Sequence, residues 1–410
     1  MSKFLFPILI LAIIAAAEYY MWQAIQTIFS GDKYRWFRWS YLILNIALYG
    51  VFFSARTLFA HVSNSHLLMY LQALFVIFML SKLIVFIFFI INDLIQLPKY
   101  VSQKIASQTS TETAISRSSF LSKLALGVAA IPAGSLIYGM IFNPYNYQFR
   151  RVKIKFPNLP DAFNGFTIVQ LSDIHSGSFT QTEPIIKAVE KINKLNADVI
   201  LFTGDLVNNV AEEMQDFMQV FDKLKSKNGV LSITGNHDYG DYVPWDNEAE
   251  KQANFQRFMQ VHKNLGWDLL MNEHRIFEKN GEKIAIIGIE NWGHALRFPR
   301  YGKLAQAYKG TEEIPFKVLM SHDPSHWDAQ VRPEFPDIDL MLSGHTHGFQ
   351  FGIESKYLKW SPSQWVYKQW AGLYQIGKQY LYVNRGFGFL GYPGRVGILP
   401  EVTIIELQKT

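Results

Sequence analysis

The stretch "IDLMLSGHTHG", residues 338–348, is an apolar run that ends on two histidines set two apart between glycines. Four more segments share this form. "FTIVQLSDIH" (166–175) ends on Asp173 and His175, "DVILFTGD" (198–205) on Asp205, "GVLSITGNHD" (229–238) on Asn236, His237 and Asp238, and "FKVLMSHD" (316–323) carries His322 near its end. Short apolar runs separated by helical patterns indicate buried strands, in an α/β arrangement with helices on the faces of the sheet. In such sheets ligands bind beyond the carboxyl ends of the strands, which is where all five runs deliver their polar residues.

"TEPIIKAVEKINKLN" (182–196) fits one of the covering helices, with Thr182 at the N-cap, Pro184 in the first turn and Ile185, Val189 and Ile192 on one face. In extended chain the side chains at i and i+2 point the same way, so Asp173 with His175, and His345 with His347, are each expected to aim two ligands into one cavity. Gly204, Gly235, Gly344 and Gly348 permit tight turns and close backbone approach there. The collected donors are carboxylate, imidazole and amide. The chain has no cysteine, which removes disulfides, thiolate-bound zinc and thiol catalysis. A mixed nitrogen and oxygen shell suits Mn, Fe or Zn, and it is too rich in histidine for a purely oxygen-ligated Mg or Ca site.

In order, D-x-H at 173–175, G-D at 204–205, G-N-H-D at 235–238, the later His322 and G-H-x-H at 344–347 resemble the calcineurin-like metallophosphoesterase superfamily over roughly 165–350. Within it the chain looks most similar to the membrane-linked bacterial branch, transmembrane proteins with a metallophosphoesterase domain. The resemblance implies an α/β/β/α sandwich, two packed mixed sheets flanked by helices, and hydrolysis of a phosphate ester with two divalent metal ions. Asp173, His175 and His347 would hold one ion, Asn236, His322 and His345 the other, and Asp205 would bridge them. In that scheme ions about 3.5–4 Å apart acidify a shared water, whose hydroxide attacks phosphorus in line. His237 would stay off the metals and serve the leaving oxygen, with Asp238 orienting its imidazole. Each residue alone has a plainer reading, since strand-end Asp and Asn are ordinary turn residues. It is seven of them in one order that carries the resemblance. His262, His274, His294 and His326 are read as surface or hydrogen-bonded core residues.

The front of the chain is different. Of 410 residues, 49% are hydrophobic and 15% aromatic, and the excess is concentrated in four runs at about 4–28, 40–59, 67–92 and 121–142, each near the ~20 residues a bilayer-crossing helix needs. Residues 1–144 therefore read as a four-helix transmembrane region and 145–410 as the phosphoesterase domain, with "FRRVKIKF" (149–156) its first strand. The loop bearing Lys33, Arg35 and Arg38 and the one bearing Lys99, Lys104, Arg117 and Lys123 are basic, whereas "HVSNSH" (61–66) is uncharged. Basic loops stay cytoplasmic, so four spans place the domain on the extracytoplasmic side, at the inner (plasma) membrane of a bacterium. "SRSSFLSKLALGVAAIPAGS" (116–135) leans the same way, resembling a twin-arginine signal with Ser118 in place of the second arginine. Glu18 and Lys82 each fall near the middle of a span, where a lone charge is expensive, and are expected to pair.

The net charge of +5 is spread out, with no arginine-rich tract, so no nucleic-acid partner is expected. The partners implied are the bilayer and a phosphate ester, with a lipid-linked one suggested by the anchor. Arg385, in "NRGFG", is a candidate phosphate clamp or else one half of a structural ion pair. The tract 357–395, dense in Trp360, Trp365, Tyr367, Trp370 and Tyr374, is either a wall or lid meeting an apolar anionic substrate or the bilayer, or an outer core over the sheet. The favoured function is a membrane-anchored phosphoesterase acting on phosphodiester or pyrophosphate bonds. A UDP-2,3-diacylglucosamine pyrophosphatase of lipid A synthesis is the sharper alternative, although its nucleotide substrate is cytoplasmic. A catalytically idle, metal-dependent binding or signalling module is the alternative of another class.

Overall fold

The computed structural model describes residues 5–58, 66–106, 119–295 and 298–410. Its two compact units are Met1–Tyr138 and Gly139–Thr410.

The first unit is helical: α1 (Leu5–Ile28), α2 (Arg35–Leu58), α3 (His66–Ala106) and α4 (Ser119–Phe142), the last turn of which belongs to the second unit. Among the described residues three stretches, Pro7–Ile28, His66–Pro98 and Ser119–Phe142, are long and apolar enough to cross a membrane. Helix α2 has comparable length but not the apolar composition, because Arg35, Arg38 and Asn45 dilute it. Helix α3 also runs well past the expected end at residue 92, and Pro98 lies inside it. The uncharged connection at 59–65 and the Arg117/Ser118 signal lie outside the described residues.

Glu18 and Lys82 do pair. Lys82 is fully buried and donates to Glu18 and to Asn45 Oδ1, while the Tyr49 hydroxyl donates to Glu18 at 2.7 Å and that of Tyr41 at 3.3 Å. A charge away from water is tolerated when it is paired and its remaining hydrogen-bonding capacity is used. The acceptors and hydroxyls that do this come from α2, so the least apolar helix is tied to α1 and α3 through one polar cluster.

Among its described residues the second unit contains fourteen strands: β1 (Gln148–Phe156), β2 (Thr167–Leu171), β3 (Val199–Phe202), β4 (Val230–Ser232), β5 (Asp268–Leu269), β6 (Glu273–Lys279), β7 (Glu282–Gly288), β8 (Lys317–Met320), β9 (Leu340–Ser343), β10 (Ile353–Glu354), β11 (Lys359–Trp360), β12 (Gly372–Ile376), β13 (Gln379–Val383) and β14 (Glu401–Lys409). One six-stranded sheet has the order β1-β14-β2-β3-β4-β5 and the other β12-β13-β9-β8-β7-β6, with β10 and β11 forming a small hairpin. Both large sheets are mixed: β14 and β2 are antiparallel in the first, and β12–β13 and β7–β6 in the second.

Side-chain alternation explains the layering. Along β7, Ile284 and Ile286 enter a core shared with Ile168, Leu201 and Leu231 of the first sheet, whereas Ala285 and Ile287 enter a second core with Trp327 and Val331. The same split repeats at Val318 against Leu319 and at Leu340 against Met341. A sheet apolar on both faces must be covered on both, which accounts for the unbroken apolar runs in the sequence. The helix over 182–196 is observed as Glu183–Asn193, with Ile185, Val189 and Ile192 buried as expected. Thr182 occupies the N-cap position, but its side chain makes no capping bond. The architecture is the expected sandwich of two mixed sheets flanked by helices.

Candidate metal centre

The five apolar runs become β2, β3, β4, β8 and β9, and the polar residues at their ends converge on two clusters. Asp173, His175 and His347 form one; Asp205, His322 and His345 form the other. Asp205 stands between them, with Oδ2 at 3.0 Å from His322 Nε2 and 3.6 Å from His175 Nε2. Asp173 Oδ1 lies 3.3 Å from His347 Nε2.

The convergence does not come from extended chain. Asp173, His175, Asp205, His345 and His347 all have φ between 48° and 68°, in the left-handed region. Left-handed residues turn the chain sharply after β2, β3 and β9, and His345 and His347 serve different clusters that share one cavity. Such conformations cost energy for residues with a Cβ and persist where surrounding structure fixes them. Here the His345 amide donates to both carboxylate oxygens of Asp173 at 3.0 Å. Glycine is required by close approach: a Cβ on Gly344 would lie 2.1 Å from Asp173 Oδ2, and one on Gly235 would lie 2.2 Å from Asp205 Oδ1.

Tautomers follow from the carbonyl partners, because only an N–H can face a carbonyl oxygen. His322 Nδ1 donates to Thr203 O at 2.7 Å, so Nε2 is the nitrogen turned toward the cluster, 3.2 Å from His345 Nδ1. His237 Nδ1 likewise donates to Asn208 O at 2.7 Å, and its amide donates to Asp205 Oδ1 at 2.9 Å. Asn236 donates through Nδ2 to the Tyr242 hydroxyl at 2.8 Å, which turns Oδ1 the other way. His175 Nδ1 and Nε2, His347 Nε2 and Asn236 Oδ1 are buried and have no hydrogen-bond partner among the described residues. Burying such atoms unpaired is costly, so four orphaned donor atoms around two buried carboxylates fit a site made for cations.

The electrostatics point the same way. Burial works against charge on Asp173, but the His347 and His322 imidazoles outweigh it and hold the carboxyl well below its usual range. Burial also opposes charge on His322, yet Asp205 and Asp173 push that imidazole up to about 10. Two buried carboxylates thus draw positive charge, and in a chain without metal a histidine proton must supply it.

A cavity of about 280 Å³ opens over these groups. His175, Asp205, Asn236 and His237 line its polar side, and Phe298, Phe349 and Leu390 its apolar side.

Two expected roles are displaced. Asp238 does not touch the His237 imidazole, which is oriented by the Asn208 carbonyl. Its carboxylate accepts instead from the amides of Gly235 (2.7 Å), Leu206 (2.8 Å), Asp205 (2.9 Å) and Val207 (3.4 Å). Burial and the Asp205 carboxylate push Asp238 up to about 8, but with two amide donors on each oxygen the pocket accommodates the ionised form. Arg385 is not a phosphate clamp: it is buried, with both amino groups 2.5 Å from the carboxylates of Glu401 and Glu354. This is the structural ion pair of the two readings.

Residues given no role beside the ligands in the sequence also reach the site. The Tyr367 hydroxyl lies 2.7 Å from His345 Nε2, on the side of the ring away from the cluster. Arg395 is fully buried, its Nη2 is 3.1 Å from His347 Nδ1, and Nη1 donates to the Arg385 carbonyl at 2.7 Å. Its own amide donates to Gly139 O at 3.1 Å, in the last turn of α4. Such residues carry no motif; only the fold brings them behind the ligands.

Comparison with known proteins agrees with this geometry. Residues 166–349 match the family model described as calcineurin-like phosphoesterase, and residues 2–144 match one described as the transmembrane domain of a probable calcineurin-like phosphoesterase. The chain belongs to the calcineurin-like metallophosphoesterases. A Danio rerio relative named transmembrane protein with metallophosphoesterase domain is 30% identical over 336 residues, covering 80% of this chain and 71% of that one. The Bacillus subtilis relative named uncharacterized metallophosphoesterase YkuE is 31% identical over 308 residues, 72% of this chain and 99% of that one. This metallophosphoesterase is a metal-dependent phosphoester hydrolase joined to a transmembrane region, and the two clusters are its candidate metal-binding groups.

Proposed function

We propose that this chain is a four-span, membrane-anchored dinuclear phosphoesterase that cleaves phosphodiester or pyrophosphate bonds of an envelope-associated substrate. The observation that carries the reading is the meeting of two buried ligand clusters at Asp205, beside an imidazole that belongs to neither. Asp173, His175 and His347 hold one divalent ion, Asn236, His322 and His345 the other, and Asp205 faces both. Mn, Fe or Zn suits this donor set. When bound, such ions supply Lewis acidity toward phosphoryl oxygens and acidify water.

The chain's own groups do the rest. His237 is held by Asn208 O so that Nε2 faces the cavity, where it can give a proton to the leaving oxygen. Asp238 keeps the 205–207 backbone in place beneath it. The phenyl rings of Phe298 and Phe349 narrow the cavity and favour a substrate with an apolar portion. Loop charge supports an extracytoplasmic domain at a bacterial inner membrane.

The test is hydrolysis by the detergent-purified, manganese-loaded full-length protein, followed by phosphorus NMR on a phosphomonoester, a phosphodiester and UDP-2,3-diacylglucosamine. The expected result is diester turnover that His237→Ala lowers while bound metal is kept. Cleavage of the UDP-lipid would turn the domain inward. Absence of turnover on all three, with metal bound, would leave a binding module.

A further inference from the structure

We infer that the catalytic unit rests on the bilayer through a second surface of its own, the β10–β11 hairpin together with the turn at Pro362–Trp365. Tyr357 at the hairpin tip is 90% exposed and Trp365 74%, and Ile353, Leu358 and Phe349 are each about half exposed. The patch holds together: Trp360 of β11 packs edge-on against Trp365 with centroids 6.0 Å apart. Large contiguous apolar surface of this kind marks an interaction site rather than ordinary scatter.

Two observations name the occupant. The first is position. The last turn of α4, a helix long and apolar enough to cross a membrane, lies within this unit, where Arg395 N donates to Gly139 O and Asn143 Nδ2 donates to Arg395 O at 2.9 Å. Val396, the next residue, donates to Gln350 O at 2.8 Å and accepts from Gly352 N at 2.9 Å. Ile353 then opens the hairpin, paired with Trp360. The apolar tip is therefore only a few residues along the chain from backbone bonded to the end of the span.

The second is charge. From Ser355 to Pro400 the sequence contains no aspartate or glutamate, and exposed Lys356 and Lys368 flank the aromatic residues. The carboxylate at the hairpin's base, Glu354, is taken up by Arg385 and Arg150. Aromatic rings with lysines and no acids suit the interface of an anionic bilayer, where side chains settle about 5–10 Å into the headgroup boundary. Phe349, half exposed, also lines the cavity, so a substrate held in the leaflet has a short path to the metal clusters.

This inference stands apart from the catalytic reading, and its test needs no turnover. Because the chain lacks cysteine, Tyr357→Cys and Trp365→Cys each create a unique labelling site. Lys187→Cys, at an exposed lysine of the helix Glu183–Asn193, is the control. The full-length protein carries a nitroxide in nanodiscs containing phosphatidylglycerol, and EPR saturation compares dissolved oxygen, which partitions into lipid, with a water-soluble nickel chelate. The expected oxygen-to-nickel accessibility ratio at 357 and 365 is several-fold above that at 187. Equal ratios at all three positions would overturn the inference. Protection from both reagents would overturn it as well, by placing protein rather than lipid on the patch.

Discussion

Replacing Asp238 by asparagine separates two accounts of the loop beneath the metal clusters. The carboxylate accepts four backbone N–H groups, two on each oxygen. Asparagine keeps the shape but turns one oxygen into an NH2, which meets two amide donors with a third. Two bonds to a charged acceptor are lost, each worth about 1.5–3 kcal/mol, so the cost is about 3–6 kcal/mol. At about 2–4 °C per kcal/mol for a domain of this size, the melting temperature falls on the order of 10 °C. The displaced backbone carries Asp205, which faces both clusters, so metal should be lost along with stability. Thermal unfolding of the full-length protein in detergent, with metal content by mass spectrometry, reads both. If Asp238→Asn keeps its melting temperature and metal but loses turnover with a shifted pH profile, the carboxylate acts on the chemistry through His237 and the structural account is wrong.

Other expected outcomes are simpler to state. Lys82→Met leaves Glu18 inside the helical unit without its cation and should cost about 3–5 kcal/mol, whereas Glu18→Gln with Lys82→Met should recover most of it; detergent-denaturation midpoints give the comparison, and no recovery would refute the coupling. Tyr367→Phe removes the hydroxyl behind His345 and should weaken metal binding about 10–100-fold by titration with manganese, with little change in fold. His262 is buried between Phe258 and Trp267 and pushed by burial from 6.5 down to about 4. The unfolded chain therefore binds the extra proton first, stability declines as pH falls from about 6.5 toward 4, and His262→Phe should flatten that slope in denaturant titrations at a series of pH values.

The sheet strands and the residues at their ends were legible because apolar runs and chemically distinctive end residues both survive in one dimension. The order of Asp173, His175, Asp205, Asn236, His237, His322, His345 and His347 was enough to name a family and assemble a site. What failed was the backbone inferred from regular chain: His345 and His347 do line one cavity, but left-handed turns rather than strand alternation bring them there. Asp238 was misread, and Arg385 was left open between two readings, because a carboxylate serving amides and a guanidinium serving carboxylates look in sequence like groups free to act. The Glu18–Lys82 pair was predictable from cost alone, but its completion by Asn45, Tyr41 and Tyr49 depends on a helix whose composition does not announce it. The contacts of Tyr367 with His345 and of Arg395 with His347 were invisible for a related reason, as support residues are selected by position and carry no motif.

Arg395 has a practical consequence for anyone wishing to work without the membrane. Its amide is fastened to Gly139 and its carbonyl to Asn143, while its side chain backs His347. A soluble fragment begun at residue 145, where the last hydrophobic run has ended, would cut both fastenings and leave a candidate metal ligand against an unanchored wall. Starting upstream of Gly139 preserves them at the cost of a greasy helical stub, so solubility and metal occupancy pull the choice of first residue in opposite directions.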